Sequence, residues 1–298
     1  SVKFSKFLLT CMKDIFATNK FHCTTHLFTH SLNHFIITPS VYLPNIMTDF
    51  TKASTPLAQL CEISRDACAI LAEFVVPCYD TMNSDTSKLK ADKSVFTIAD
   101  GIVQHLLIEH LYVGKFLNIV GEEDDSSVNI TSKPYTVDDL VVPDMFEDMI
   151  DSVRTRIEAL AGRIDSEAYQ TLTVFIDPID GTREFATAKG EQCSICIGFA
   201  DNTGIPVAGI VFRPITIPFT FAAGAASEGY FDSVLNEDGP LNPQGLLTSN
   251  GSISPFIGHL IEELGYTRVP SGGAGNKMLM LLEGKGGCYI QDRGVSRW

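Results

Sequence analysis

LTVFIDPIDGTREF, residues 172–185, runs an apolar stretch, LTVFI (172–176), straight into an acidic turn. A short apolar run of this kind reads as a buried strand, so Asp177 and Asp180 arrive where a strand ends. Pro178 fixes φ and Gly181 permits a tight bend just before Thr182, which makes the segment stiff. The two carboxylates and the intervening Ile179 carbonyl then face one point, and hard oxygen ligands of that kind suit Mg²⁺ rather than zinc. A helix opening at Thr182 would add the backbone N–H groups near Gly181 and Thr182 as a phosphate site. Taken alone, Asp-Pro-x-Asp-Gly is an ordinary turn. The neighbouring segments decide between the two readings.

A second short strand, LNIV (117–120), delivers GEEDDSS at its carboxyl end and so places Glu122 beside the same region. Glu123, Asp124 and Asp125 read as a solvated acidic loop. Asp100 stands at the mouth of a helix predicted to run to about Leu111. Thr55 and Pro56 open an earlier helix that Pro77 is expected to stop. The polar stretch 124–170 holds one amphipathic helix, marked by Met145, Phe146, Met149, Ile150, Val153, Ile157, Leu160 and Ile164, and reads as an insertion over the site. SICIGFA and PVAGIVF flank the turn DNTG (201–204) as a hairpin. Ser254 and Pro255 open a helix that Gly265 closes, and GGAGNK (272–277) precedes a helix over 278–283. These elements make a mixed αβ layered protein.

The formal charge is −14, from 22 Lys plus Arg against 36 Asp plus Glu. So acidic a surface repels a phosphate backbone, which excludes nucleic acid as an expected partner. A phosphorylated substrate would then need a bound divalent metal to reverse the local field. No apolar stretch reaches the roughly 18 residues of a membrane span, so no membrane partner is expected. The eight cysteines are scattered through apolar runs, which points to a reducing, cytoplasmic setting rather than a secreted disulfide framework. Cys193 and Cys196 form a CxxC, but in a strand residues three apart face opposite ways, against a zinc or redox pair. Residues 1–46 break the composition, with four Lys, no Arg and only Asp14 as an acid. This leader reads as lying outside the fold, either as an organellar transit peptide or as sequence ahead of a start at Met47. Within it, His22, His26, His30 and His34 would line one helical face able to bind a transition metal. A segment with no role in the fold is the simpler reading.

TIAD (97–100), GEE (121–123), DPIDGT (177–182), GGAGNK (272–277) and Trp298 stand in one order along the chain. In that combination the chain resembles the lithium-sensitive phosphatases of the inositol monophosphatase superfamily, from about Met47 to the end. DPIDGTREF and GGAGNKMLMLLEGKGG look most like the 3'(2'),5'-bisphosphate nucleotidases within it. The resemblance implies a layered αβαβα sandwich, of mixed α+β and α/β class. It would comprise an α+β metal-binding domain over 47–200, including the insertion, and an incomplete α/β substrate domain over 201–298.

The same resemblance implies two or three Mg²⁺ ions, with Glu122, Asp177 and the Ile179 carbonyl on the first and Asp177 and Asp180 on the second. Thr182 with Asp100 would orient and deprotonate the attacking water. Gly181, Thr182, Thr248, Gly273 and Lys277 would contact a small phosphorylated metabolite. Lys277 has two readings, a point charge for a phosphate or an exposed residue on a helix's first turn. The chain departs from the family pattern in two places. It stops at Trp298, where the family continues with a ligating Asp, so a C-terminal fragment is expected. It also carries TSNGS (248–252) in place of an Arg-Ser-His-like segment. Substrate readings therefore stay open between an adenosine bisphosphate and an inositol phosphate, with a catalytically silent binding protein as the third. Oligomeric state is left open.

Overall fold

A computed structural model describes residues 35–37, 55–82, 87–89, 95–123, 126–164, 166–236 and 239–291 of the chain. Helix α1 (Pro56–Asp80) begins as Thr55-Pro56 predicts, with Pro at a position where no intrahelical N–H bond is lost. Leu60, Cys61, Ser64, Cys68 and Leu71 are buried along it. Pro77 does not stop it, and the helix runs on to Asp80. A proline this close to the end removes one N–H bond and disturbs only the last turn. Helix α2 (Ile98–His105) starts two residues earlier than predicted because Thr97, not Asp100, is its N-cap. It passes into a π-helical turn over Leu106–Tyr112.

Among the described residues, four sheets organise the strands. β2 (Ser87–Leu89) pairs with β3 (Val95–Thr97), while β5 (Val128–Asn129), β6 (Thr136–Val137) and β7 (Leu140–Val141) form a small meander. The large sheet has the order β12-β11-β10-β9-β8-β4, from β4 (Asn118–Gly121), β8 (Thr173–Asp180), β9 (Ser194–Ala200), β10 (Pro206–Arg213), β11 (Thr220–Ala225) and β12 (Tyr230–Val234). Within it β4 and β8 are parallel, so both acidic segments leave at the same end. The fourth sheet has the order β1-β15-β13-β14, from β1 (Phe35–Ile37), β13 (Gly245–Thr248), β14 (Thr267–Pro270) and β15 (Cys288–Gln291).

The expected boundary at 200/201 falls inside the large sheet. Asp201 caps the β9–β10 turn, its Oδ1 accepting from the N–H groups of Thr203 (2.8 Å) and Ile205 (2.9 Å), so the chain simply continues the sheet to β12. The second sheet takes over only at β13. β1 lies within the stretch expected to stand outside the fold, yet it pairs antiparallel with β15. The four leader histidines and Trp298 lie outside the described residues.

Helix α3 (Glu147–Ala161) buries Ile150, Val153 and Ile157 in the main core, against α1 and the π-helical turn. It is tied to α1 by Arg156–Glu73 (2.5 Å) and is followed by one helical turn, α4 (Ser166–Tyr169). The helix of the insertion is thus a core element, where the sequence suggested a cover for the site. α1 and α2 cover one face of the large sheet. Helix α7 (Ala274–Leu282) fills the space between the two sheets, with Met278 and Leu279 packed on Cys196, Val211, Leu247 and Tyr289. Helix α6 (Pro255–Leu264) packs Ile257 on Leu246, Cys288 and Ile290 across the second sheet. The layers therefore run helix, sheet, helix, sheet, helix. No helix among the described residues is long and apolar enough to cross a membrane.

Candidate active site

β8 does not end at Ile176. It continues through Asp177 to Asp180, and its register against β9 slips between those two residues: Asp177 faces Cys196 and Asp180 faces Ser194. Pro178 and Ile179 on one strand thus stand against Ile195 alone on the other. A bulge of this kind re-aims side chains at a strand end, which is how two aspartates three residues apart reach one region. Gly181 follows at φ 93°, a left-handed conformation, and opens the single helical turn α5 (Thr182–Phe185). A Cβ at Gly181 would sit 3.3 Å from the Gln192 carbonyl oxygen and 3.4 Å from the Gly273 nitrogen, so the turn needs glycine for space as well.

Asp177 is buried, and its Oδ1 has no hydrogen-bond partner. An orphaned buried oxygen costs about 1–3 kcal/mol. Burial pushes the Asp177 carboxyl well above the usual carboxylate range, and so do Glu122, Asp180 and Asp100. Glu122 is brought there by the β4–β8 ladder, which its backbone N–H extends onto the Ile176 carbonyl at 3.0 Å. Glu123, read from sequence as solvated, is buried, and its N–H is held by Gln104 Oε1 at 2.8 Å. Asp124 and Asp125 lie outside the described residues.

Asp100 occupies the third position of α2. Its Oδ2 accepts from the Thr97 N–H (2.9 Å) and hydroxyl (2.5 Å), closing a reciprocal cap. Its Oδ1 accepts from the Thr182 hydroxyl at 3.1 Å, and the same hydroxyl lies 3.0 Å from the Ile179 carbonyl. Desolvation first, then repulsion from Glu123 and Glu122, pushes Asp100 up to about 8. Asp180 is held differently: the N–H groups of Ala274 (3.0 Å) and Gly275 (2.6 Å) and the Ser194 hydroxyl (3.2 Å) all donate to its carboxylate.

The predicted substrate contacts lie around the start of α7, which begins at Ala274 with Gly273 as N-cap, four residues before the predicted start. A Cβ on Gly273 would meet the Gln192 carbonyl at 2.5 Å and Asp180 Oδ2 at 3.1 Å, so this glycine lies directly beside the carboxyl end of β8. Thr248 closes β13, and its hydroxyl accepts from Arg268 Nε at 3.0 Å. Lys277 is 3% exposed, which removes the exposed-residue reading. Its ammonium donates to the Ser271 (3.2 Å) and Gly273 (2.6 Å) carbonyls and lies over the Tyr289 ring. Burial lowers it to about 8. Neither reading anticipated that arrangement.

Asn250, in the atypical TSNGS segment, donates to Glu184 Oε1 (2.9 Å) and Gln192 Oε1 (2.8 Å), and Gln192 Oε1 also accepts from the Gly272 N–H (2.7 Å). One amide thus joins three segments around the site. Sequence reasoning noticed the segment but not the role of Asn250, because its partners are 58 and 66 residues away. Beyond Gln192 and Ser271 opens a cleft of about 740 Å³ over Arg213, Asn276 and Glu283, and none of the predicted carboxylates lines it.

Among the described residues no three histidine, cysteine or acidic side chains converge at metal-coordinating separations. A hard divalent cation nevertheless fits this donor set. Asp177 offers an oxygen that no donor reaches, and the cluster is composed of carboxylates whose mutual repulsion a cation would offset. Cys193 and Cys196 are free and buried, with Cys193 in the main core and Cys196 in the layer between the sheets.

A model of the inositol monophosphatase family matches residues 56–298. Curated relatives include the 3'(2'),5'-bisphosphate nucleotidase 1 of Mus musculus, 27% identical over 68% of this chain and 65% of that protein. The Homo sapiens protein of the same name is 24% identical, again over 68% and 65%. The chain spans about 65% of the length of these relatives. Among solved structures, CysQ from Bacteroides thetaiotaomicron, a bacterial member of the inositol monophosphatase family, is 19% identical with a TM-score of 0.46, over 76% of this chain and 77% of that one.

Proposed function

The chain belongs to the inositol monophosphatase family, and from that premise we propose that it is a Mg²⁺-dependent phosphomonoesterase that converts 3'-phosphoadenosine 5'-phosphate to AMP and inorganic phosphate. The observation that carries the reading is Asp177 Oδ1, buried without a donor among like-charged neighbours at the shared end of β4 and β8. The nucleotide is supported by the name that relatives from several organisms share.

Glu122, Asp177 and the Ile179 carbonyl would hold one Mg²⁺, and Asp177 with Asp180 a second. When bound, the cation supplies Lewis-acid polarisation of the phosphoryl group and neutralises its charge. Thr182 Oγ1 lies within hydrogen-bond reach of Asp100 Oδ1 and the Ile179 carbonyl; donating its one hydrogen to Asp100 leaves its lone pairs open to a water's proton. That proton passes through the Thr182 hydroxyl to Asp100, while the water oxygen forms the new P–O bond and the bond from phosphorus to the 3'-oxygen breaks. The leaving 3'-oxygen takes a proton from solvent water and ends as a hydroxyl. The Thr97 cap fixes Asp100 from behind, so the pair is oriented before substrate arrives.

One observation favours a second reading, an inositol phosphate phosphatase. The Lys277 ammonium is turned inward onto two carbonyls rather than toward a second phosphate. Phosphate release with Mg²⁺ from 3'-phosphoadenosine 5'-phosphate, inositol 1,4-bisphosphate and inositol 1-phosphate separates them. Preference for the nucleotide is expected. Preference for an inositol phosphate overturns the substrate, and no release from any of the three leaves a silent binding protein.

A further inference from the structure

Helix α7 starts without a capping side chain of its own, because its N-cap is Gly273. The first N–H groups of a helix need acceptors, and these find them on Asp180, at 3.0 Å from Ala274 to Oδ1 and 2.6 Å from Gly275 to Oδ2. The approach is possible only because position 275 is glycine. A Cβ there would meet Cys196 Sγ and Ser194 Oγ at 2.7 Å and Val211 Cγ1 at 2.9 Å. Ser194, fully buried and opposite Asp180 across the bulge, adds a third donor at 3.2 Å to Oδ2.

An ionised carboxylate has about four acceptor directions, and three are occupied here from behind. The remaining direction is thereby fixed. We propose that Ser194 is a positioning residue for the cation site: with the first turn of α7 it holds the Asp180 carboxylate in the one orientation that leaves a free acceptor direction for a divalent cation. The inference rests on the metal-dependent reading above. Ser194 is not needed to cap α7, whose N–H groups already reach Asp180, and its hydroxyl lies closer to the carboxylate (3.2 Å) than to its other partner, the Cys196 thiol (3.5 Å). Because the same carboxylate seats α7, the cation site and the Gly273 segment share one anchor.

The test is calorimetric titration of Mg²⁺ into the full chain without substrate, for wild type, Ser194→Ala and Cys196→Ala. Partners that orient metal ligands set affinity by about 10–100-fold, so Ser194→Ala is expected to weaken Mg²⁺ binding by about tenfold. Cys196 lies on the same strand face and touches Ser194 at 3.5 Å, but its thiol has no bond to Asp180. Its alanine variant loses packing and is expected to keep wild-type affinity. Unchanged binding in Ser194→Ala, or equal weakening in both variants, overturns the inference alone. A wild type that binds no Mg²⁺ overturns the functional reading with it.

Discussion

At the scale of single residues, Asp177 combines burial, an unpartnered oxygen and three acidic neighbours, a costly state for a residue with only a structural role. Replacing it with Asn removes one charge from the cluster. In chelator, Asp177→Asn is expected to raise Tm by about 2–4 °C, corresponding to roughly 1 kcal/mol, and to abolish the stabilisation by Mg²⁺ expected of wild type; differential scanning calorimetry reads both. The carboxyls also fix a pH slope. Asp100 and Asp177 bind protons more tightly folded than unfolded, so the metal-free protein is most stable in this respect below the ordinary Asp value and loses stability as pH rises toward 8. Chemical denaturation between pH 4 and pH 8 is expected to show that loss without metal and a flatter profile with saturating Mg²⁺. The placement of Asp177, Asp180 and Glu122 at strand ends was legible because apolar runs there end in carboxylates. Glu123 and Lys277 were not, since what buries them comes from distant segments and leaves no local pattern.

Elements show the same division. Ser254 and Gly265 mark the ends of α6 in the structure as they do in the sequence, because an N-cap and a left-handed C-cap are local chemistry. The bulge at Asp177–Asp180 and the π-helical turn at 106–112 are set by what packs against them, and the sequence showed neither. α3 illustrates how a polar setting misleads. Its surroundings suggested a surface insertion, yet Ile150, Val153 and Ile157 are fully or almost fully buried. Ile157→Ala is expected to destabilise the protein by about 2–5 kcal/mol with Mg²⁺ affinity unchanged, which urea unfolding and titration together can check. Gly181→Ala tests the turn: at φ 93° a side chain costs about 1–2 kcal/mol, and the Cβ presses on the Gly273 backbone.

For the whole molecule, two sheets and three helical layers bring the ends of β4 and β8, the mouth of α2 and the first turn of α7 to one place, although these segments span residues 97 to 275. The order of the layers came from the resemblance of five motifs, since hydrophobic pattern placed the hairpin across residues 201–204 but not the stacking of sheets and helices. With a net charge of −14, a bound cation would offset the repulsion that a phosphorylated substrate meets. The most direct test is release of inorganic phosphate from 3'-phosphoadenosine 5'-phosphate by wild type and Asp177→Asn, each with Mg²⁺ and with chelator. Release by wild type with Mg²⁺, lost in chelator and in the variant, is the predicted result; release that persists in chelator or in Asp177→Asn would contradict the account.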